Sequence, residues 1–282
     1  MESLGKAAET LALVLKDVCG IIIDPVKKIT NDRADKYIEK NRVKHKYEIE
    51  KMELAERAKL RIFETEIRRQ DNLERIGNET VKLLANENTE PTLDMDWFNY
   101  FIDSSQDIGD IDLQKIWSKI LAKEVINSGS ISRVTLDALK KFSKNDCRTF
   151  ERVAQYILRF QIRGIKYGLI HYDALFESNT SNDIWLSGDL YNLDNLGILN
   201  STLTGFPFPK GETIIHEDIK SLIELKVFNQ DLNVTGWYVT KAGIEISEAL
   251  GASLNKDYVN SFQKSLIKAY SDRIENVQII IK

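Results

Sequence analysis

His45, His171 and His216 are the only histidines in the chain, and they are scattered. Acid–base or metal chemistry built on them needs further donors at matched spacing, such as a second histidine one helical turn away. The run His216-Glu217-Asp218 sets two carboxylates directly after a histidine, and it reads better as a loop or a helix start. Cys19 and Cys147 lack a local activating context of the kind that makes a thiolate nucleophile. No serine sits in a G-x-S-x-G elbow. Ser128-Gly129-Ser130 has neither the spacing nor the lysine of a phosphate-binding loop. The residues therefore nominate no catalytic group, no cofactor-binding set and no metal ligands. An enzymatic reading finds no support.

What remains is the chemistry of charge and apolar contact. Lys27, Lys28, Lys36, Lys40, Arg42, Lys44 and Lys46 form a basic stretch interrupted by few acids. Such a run is either a solvated face or a stripe that meets phosphates, on nucleic acid or on anionic lipid. Leu4, Leu11, Leu15, Val18 and Ile22, with Met52 and Ile62 further on, are the candidate oligomer contacts. A homo-oligomer is the expected partner state. A phage or host protein, a nucleic acid and a membrane surface are the alternative partners.

The elements that must position these residues follow from periodicity. Leu4, Ala8, Leu11, Leu15, Val18 and Ile22 line one side of a first helix, which Gly20 and Asp24-Pro25 should end. That helix packs on the body of the protein or on a second copy; the rival is an interfacial membrane helix. From about Asn31 to Ala85 helix formers dominate, with Glu53/Arg57, Glu64/Arg68 and Asp71/Arg75 as acid-then-base pairs at i, i+4. The apolar residues keep no strict heptad. The pattern predicts a long charged helix that leaves the globule to lie on a partner.

Glu87 to Asp96 reads as a linker, after which Asp94 or Asp96 caps a short helix carrying Trp97, Phe98, Phe101 and Ile102. Asp110 to Phe150 then forms the expected core. Leu113, Ile116, Trp117, Ile120, Leu121 and Val125 define one amphipathic helix capped by Asp112. Residues 127–130 turn, and Ile131, Thr135, Leu139 and Phe142 restart the period. Ser143 to Asp146 opens a third helix with Cys147, Phe150 and Ala154. Beyond Ile157 the pattern becomes mixed. A helix with Leu190, Leu193 and Leu196 stops at Gly197. Short strands are expected at Thr202–Phe208, Ile214-Ile215, Leu225–Phe228 and Trp237–Val239. Thr240 caps a helix to Leu250, another carries Tyr258, Phe262, Leu266 and Tyr270, and Val277–Ile281 closes as a strand.

The expected architecture is mainly α, with a central helical hairpin and a small α+β, winged-helix-like C-terminal module. The expected domains are 1–90, 91–160 and 161–282. Leu193, Leu196, Gly197, Ile198, Leu199, Thr240, Ala242 and Gly243 carry the winged-helix resemblance. Acids outnumber bases between Tyr167 and Lys282, which argues against DNA reading there. The formal charge of −4 over 282 residues carries no global nucleic-acid signature. No signal peptide or membrane span is evident, and two cysteines suit a reduced compartment. The expected location is cytoplasmic, or peripheral to the inner membrane.

Asp96-Trp97-Phe98-Asn99, the Leu113–Glu124 helix with its Ile116-Trp117 and Ile120-Leu121-Ala122, and Ser128-Gly129-Ser130 with Thr135-Leu136 resemble a bacterial and prophage-borne family, domain of unknown function 2806. Val239-Thr240-Lys241-Ala242-Gly243 corresponds to its late motif. Ser128 stands where that family usually has proline, and Val239 where it has leucine. More distantly, Leu113, Ile116, Trp117, Leu121, Leu139, Ser143 and Asp146 are similar to abortive-infection alpha-type proteins of phage defence. The resemblance implies a phage-defence or prophage context for a self-associating, non-enzymatic protein and supplies no catalytic residues.

Overall fold

The computed structural model describes residues 5–23, 34–40, 53–90, 92–178, 187–217, 221–227, 231–270 and 274–281. They are mainly helical, with one antiparallel sheet, and divide into two compact units, Met1–Arg133 and Val134–Lys282.

In the first unit, α1 (Lys6–Cys19) ends at Gly20, whose φ of 63° is the left-handed turn that glycine adopts without steric penalty. Leu11 and Leu15 bury its apolar stripe. The start of α1 is pinned to the end of the long helix. The Gly5 amide donates to the Ala85 carbonyl at 2.7 Å, and a Cβ on Gly5 would lie 2.4 Å from the Glu87 carbonyl oxygen. Residues 34–40 form α2, with Ala34 and Ile38 buried one turn apart.

The charged region is not one unbroken helix. α3 (Leu54–Leu83) starts at Glu53, which stands in extended backbone (ψ 158°) and donates its amide to the Glu56 carboxylate at 3.3 Å. The Glu-x-x-Glu signal was masked in sequence by the helix formers on both sides. Gly77 lies within α3. It is the contact point of α1, where an added Cβ would lie 3.0 Å from Leu15 Cδ1.

α4 (Met95–Ser105) is capped by Asp94, which accepts the Asp96 and Trp97 amides at 2.8 and 3.3 Å. α5 (Ile111–Ile126) is capped by Asp110, not Asp112: the Asp110 carboxylate accepts the Asp112 and Leu113 amides at 2.9 and 3.2 Å. Asp112 lies inside the first turn, where its charge suits the helix dipole. Phe101 stacks with Trp97 and meets the edge of Trp117, both at 5.4 Å, and these rings with Phe98 and Ile116 form the unit's core. Across the α3–α5 seam, Ser118 Oγ donates to the Ile76 carbonyl at 3.1 Å. Lower down, Gln114 Nε2 donates to Asn72 Oδ1 at 3.1 Å.

The second unit begins with α6 (Arg133–Leu139) and α7 (Lys144–Ala154). Ser143 and Asp146 cap α7 reciprocally, the Ser143 amide donating to the Asp146 carboxylate at 2.7 Å. The region of mixed period is a hairpin of β1 (Leu158–Ile162) and β2 (Ile165–His171), turned at Arg163 and Gly164 with positive φ of 50° and 81°. α8 (Tyr172–Glu177) and α9 (Ser187–Asn195) follow. Then come β3 (Leu199–Phe208), β4 (Thr213–Glu217), β5 (Ser221–Val227) and β6 (Leu232–Val239). α10 (Lys241–Ala249), α11 (Lys256–Tyr270) and β7 (Ile274–Ile281) close the chain. The strands make one seven-stranded sheet in the order β3-β6-β2-β1-β4-β5-β7. They run longer than the short apolar runs implied: β3 begins at Leu199 and takes in Ser201 and Thr202 at an irregularity between the Leu199–Val239 and Leu203–Trp237 pairings. His216 and Glu217 belong to β4 and not to a loop or helix start, since ladder pairing with β5 holds both. Asp218 lies outside the described residues.

Candidate contact surface on the first unit

α2 presents Lys36 and Lys40 on its exposed side, because Ala34 and Ile38 point the other way into the unit. The other basic candidates, Lys27, Lys28, Arg42, Lys44 and Lys46, lie outside the described residues. Two of the apolar candidates, Leu4 and Met52, do so too. Leu11 and Leu15 are buried within their own unit, at 2% and 1% exposure, and so have no surface for a second copy. Val18 and Ile22, at the far end of α1, are exposed, as is Ile62 in α3.

α3 changes character along its length. From Leu73 onward its Leu73, Ile76, Thr80 and Leu84 stripe is buried. At one turn's spacing the same stripe runs back through Arg69, Glu66, Ile62, Lys59 and Ala55, where it is largely uncovered. Leu54, Ile62 and Phe63 are exposed there at 76%, 58% and 52%. Phe63 also helps to line a groove of about 400 Å³ between α2 and α3, with Ala34, Tyr37, Ile67, Gln70 and Asp71. Sequence periodicity passed over Phe63 and Tyr37, because each stands off its helix's main apolar stripe. Only the crossing of α2 over α3 brings them together.

Beside the groove is a polar recess of about 460 Å³. Arg68, Arg69 and Arg75 line it together with Asp35, Asp71 and Asp107. Arg69 reaches Asp107 with two nitrogens, at 2.7 and 3.1 Å, and Glu66 with a third, at 2.9 Å. The bond to Asp107 is the main influence raising the Arg69 pKa. Arg75 pairs with Asp71 one turn back, and Arg68 lies 3.7 Å from Asp35. Three guanidinium groups thus meet carboxylates of their own chain, and the lining charges balance. Such a recess braces α3 against the α4–α5 connection; it is not a ready cradle for phosphate.

A model of the family described as Protein of unknown function (DUF2806) matches residues 56–263. The chain belongs to that family. No curated protein and no solved structure matches the chain. The DUF2806 match takes in the exposed half of α3 and most of α11, while α1, α2 and β7 lie outside it.

Elsewhere in this DUF2806 chain the described histidines have structural partners. His171 Nδ1 accepts the Ala174 amide at 3.0 Å and so caps α8. Burial pushes the His171 ring down to about 4, a shift that nearby Asp173 opposes. Tyr258, whose hydroxyl accepts the His171 amide at 2.8 Å, is pushed up by burial. His216 Nδ1 lies 2.9 Å from the Arg159 amide, holding β4 to β1. Burial raises the Cys19 thiol, which lowers its thiolate fraction, and Cys147 is buried. Among the described residues no three of His, Cys, Asp and Glu come together as a metal-binding group. No described helix is long and apolar enough to cross a membrane.

Proposed function

We propose that this chain is a non-enzymatic, self-associating protein that works by contact, in the setting of bacterial or prophage-borne phage defence of the abortive-infection type. The observation that carries the contact reading is the uncovered first half of α3, where Leu54, Ile62 and Phe63 face solvent on a helix whose second half is packed. A soluble helix gains little from exposed residues of that size unless something covers them. The defence context rests on the similarity of Leu113, Ile116, Trp117, Leu121, Leu139, Ser143 and Asp146 to abortive-infection proteins, and on that alone. In this reading the second unit is the sensor or docking module. Its winged-helix-like part is the α9–Gly197–β3 turn, tied to the start of α10 where Thr240 Oγ1 donates to the Gly197 carbonyl at 2.7 Å. The cytoplasm is the proposed location. Sedimentation of the full chain at micromolar concentration tests the reading. It expects an oligomer, and a monomer across that range would overturn it.

A second reading makes the protein a nucleic-acid binder. Lys36 and Lys40 stand one turn apart on the exposed side of α2, within the basic stretch that continues to Lys46. It expects affinity for DNA or RNA that falls steeply as salt is added, and no binding at low salt would remove it. A membrane-acting reading, through α1, has less to work with, since Leu11 and Leu15 are buried inside the unit.

A further inference from the structure

We infer that the occupant of the exposed α3 stripe is the same stripe of a second copy, lying antiparallel about a twofold axis near Ile62. The inference rests on the self-association proposed above and adds which surface pairs and in which direction. Continuity comes first. Leu73, Ile76 and Thr80 are covered at exposures of 7%, 1% and 0%, and the stripe they belong to continues without a break through Ile62. A neighbouring helix therefore stops covering α3 partway along, leaving from Leu54 to Arg69 a stretch of about 24 Å at 1.5 Å per residue.

Charge then selects the occupant and the direction. Along the uncovered stripe the order is Ala55, Lys59, Ile62, Glu66 and Arg69. Reversed about Ile62, Lys59 falls beside Glu66, twice by symmetry, Ala55 falls beside Arg69, and Ile62 meets its own counterpart. Glu66 already holds Arg69 at 2.9 Å within the chain, so the approaching Lys59 extends an existing pair and displaces nothing. In a parallel pair every one of these charges would face its like. Rim charges of this kind set orientation more than affinity, and apolar contact at Ile62 and Leu54 contributes the attraction. A partner of one charge sign would clash with half of the stripe. A second copy reversed about Ile62 sets neither Lys59 nor Glu66 against its like.

Two measurements test this on the full chain. In a background carrying Cys19→Ser and Cys147→Ala, oxidation should link Ile62→Cys into a covalent dimer and leave Leu54→Cys unlinked. A parallel pair would link both. By sedimentation, Lys59→Glu should weaken self-association about tenfold by replacing two attractions with two repulsions, and adding Glu66→Lys should restore it. Circular dichroism of the variants should show the helix content unchanged by these exposed substitutions. A wild-type chain that stays monomeric overturns the self-association reading and this inference together. A dimer that ignores Lys59→Glu, or that links Leu54→Cys as readily as Ile62→Cys, overturns only the antiparallel α3 pairing.

Discussion

The Glu124 carboxylate accepts the Ile131 amide at 2.8 Å and, with its other oxygen, the Gly129 amide at 2.6 Å. Glu124 is 1% exposed, so a charged side chain near the end of α5 is enclosed by the loop it holds. Gly129 turns there with a φ of 82°. We expect Glu124→Ala to cost on the order of 3 kcal/mol, because it leaves two sheltered amides without an acceptor. Glu124→Gln should cost less, since its one amide oxygen can still accept. Urea denaturation of the three proteins checks the order.

The two buried tryptophans of the first unit differ in one bond. Trp97 Nε1 donates to the Ile131 carbonyl at 2.7 Å, whereas Trp117 Nε1 is buried with no hydrogen-bond partner among the described residues. Both lose comparable ring volume on change to phenylalanine. Trp97→Phe should therefore be the more destabilising, by about 1 kcal/mol, which is the usual net worth of one hydrogen bond. Equal unfolding midpoints for the two variants would refute this.

The join between α9 and α10 has no room for a side chain. A Cβ on Gly243 would lie 2.4 Å from the Ile198 carbonyl oxygen and 2.6 Å from Val239 Cγ1. Gly243→Ala should thus destabilise the second unit by about 2–4 kcal/mol, although alanine is the better helix former. Gly188→Ala, in α9 with open space around it, should be neutral or mildly stabilising. Thermal melts of the pair separate steric crowding from helix propensity.

His171 makes the second unit sensitive to acid. Its folded-state pKa is held down to about 4, from an ordinary 6.5, by burial. The unfolded chain therefore binds a proton more readily than the folded one across that window. The stability contributed by neutral His171 is complete above pH 6.5, is lost as the pH falls from 6.5 to 4, and changes no further below 4. The span corresponds to on the order of 3 kcal/mol. Protonation also removes the Nδ1 acceptor that caps α8. His171→Asn keeps a capping oxygen and cannot titrate, so its urea midpoint should vary less between pH 6.5 and 4 than that of the parent.

Much of the fold was legible because its signals are local. Ser143 followed by Asp146, glycine at 197 after Leu193 and Leu196, and Thr240 ahead of an apolar period each act on the backbone within four residues. The local reading failed where two local signals competed. Helix formers flanking Glu53 hid a break, and two aspartates near the start of α5 disguised which one caps it. The contact surface was less legible. Ile62 stood out by its apolar side chain, but Leu11 and Leu15 looked equally available and are buried.

The sequence by itself determined that the chain is mainly helical with a later mixed region, where most helices start and stop, and the charge order along α3. Periodicity and capping depend on residues a few positions apart, and those are all present in one strand of text. Only the tertiary structure decided which apolar stripes are covered, that Arg69 of α3 meets Asp107 beyond α4, and that seven strands join in one sheet. Coverage is a property of what packs against a face, and the packing partner is set by distant chain segments whose pairing leaves no mark on local spacing.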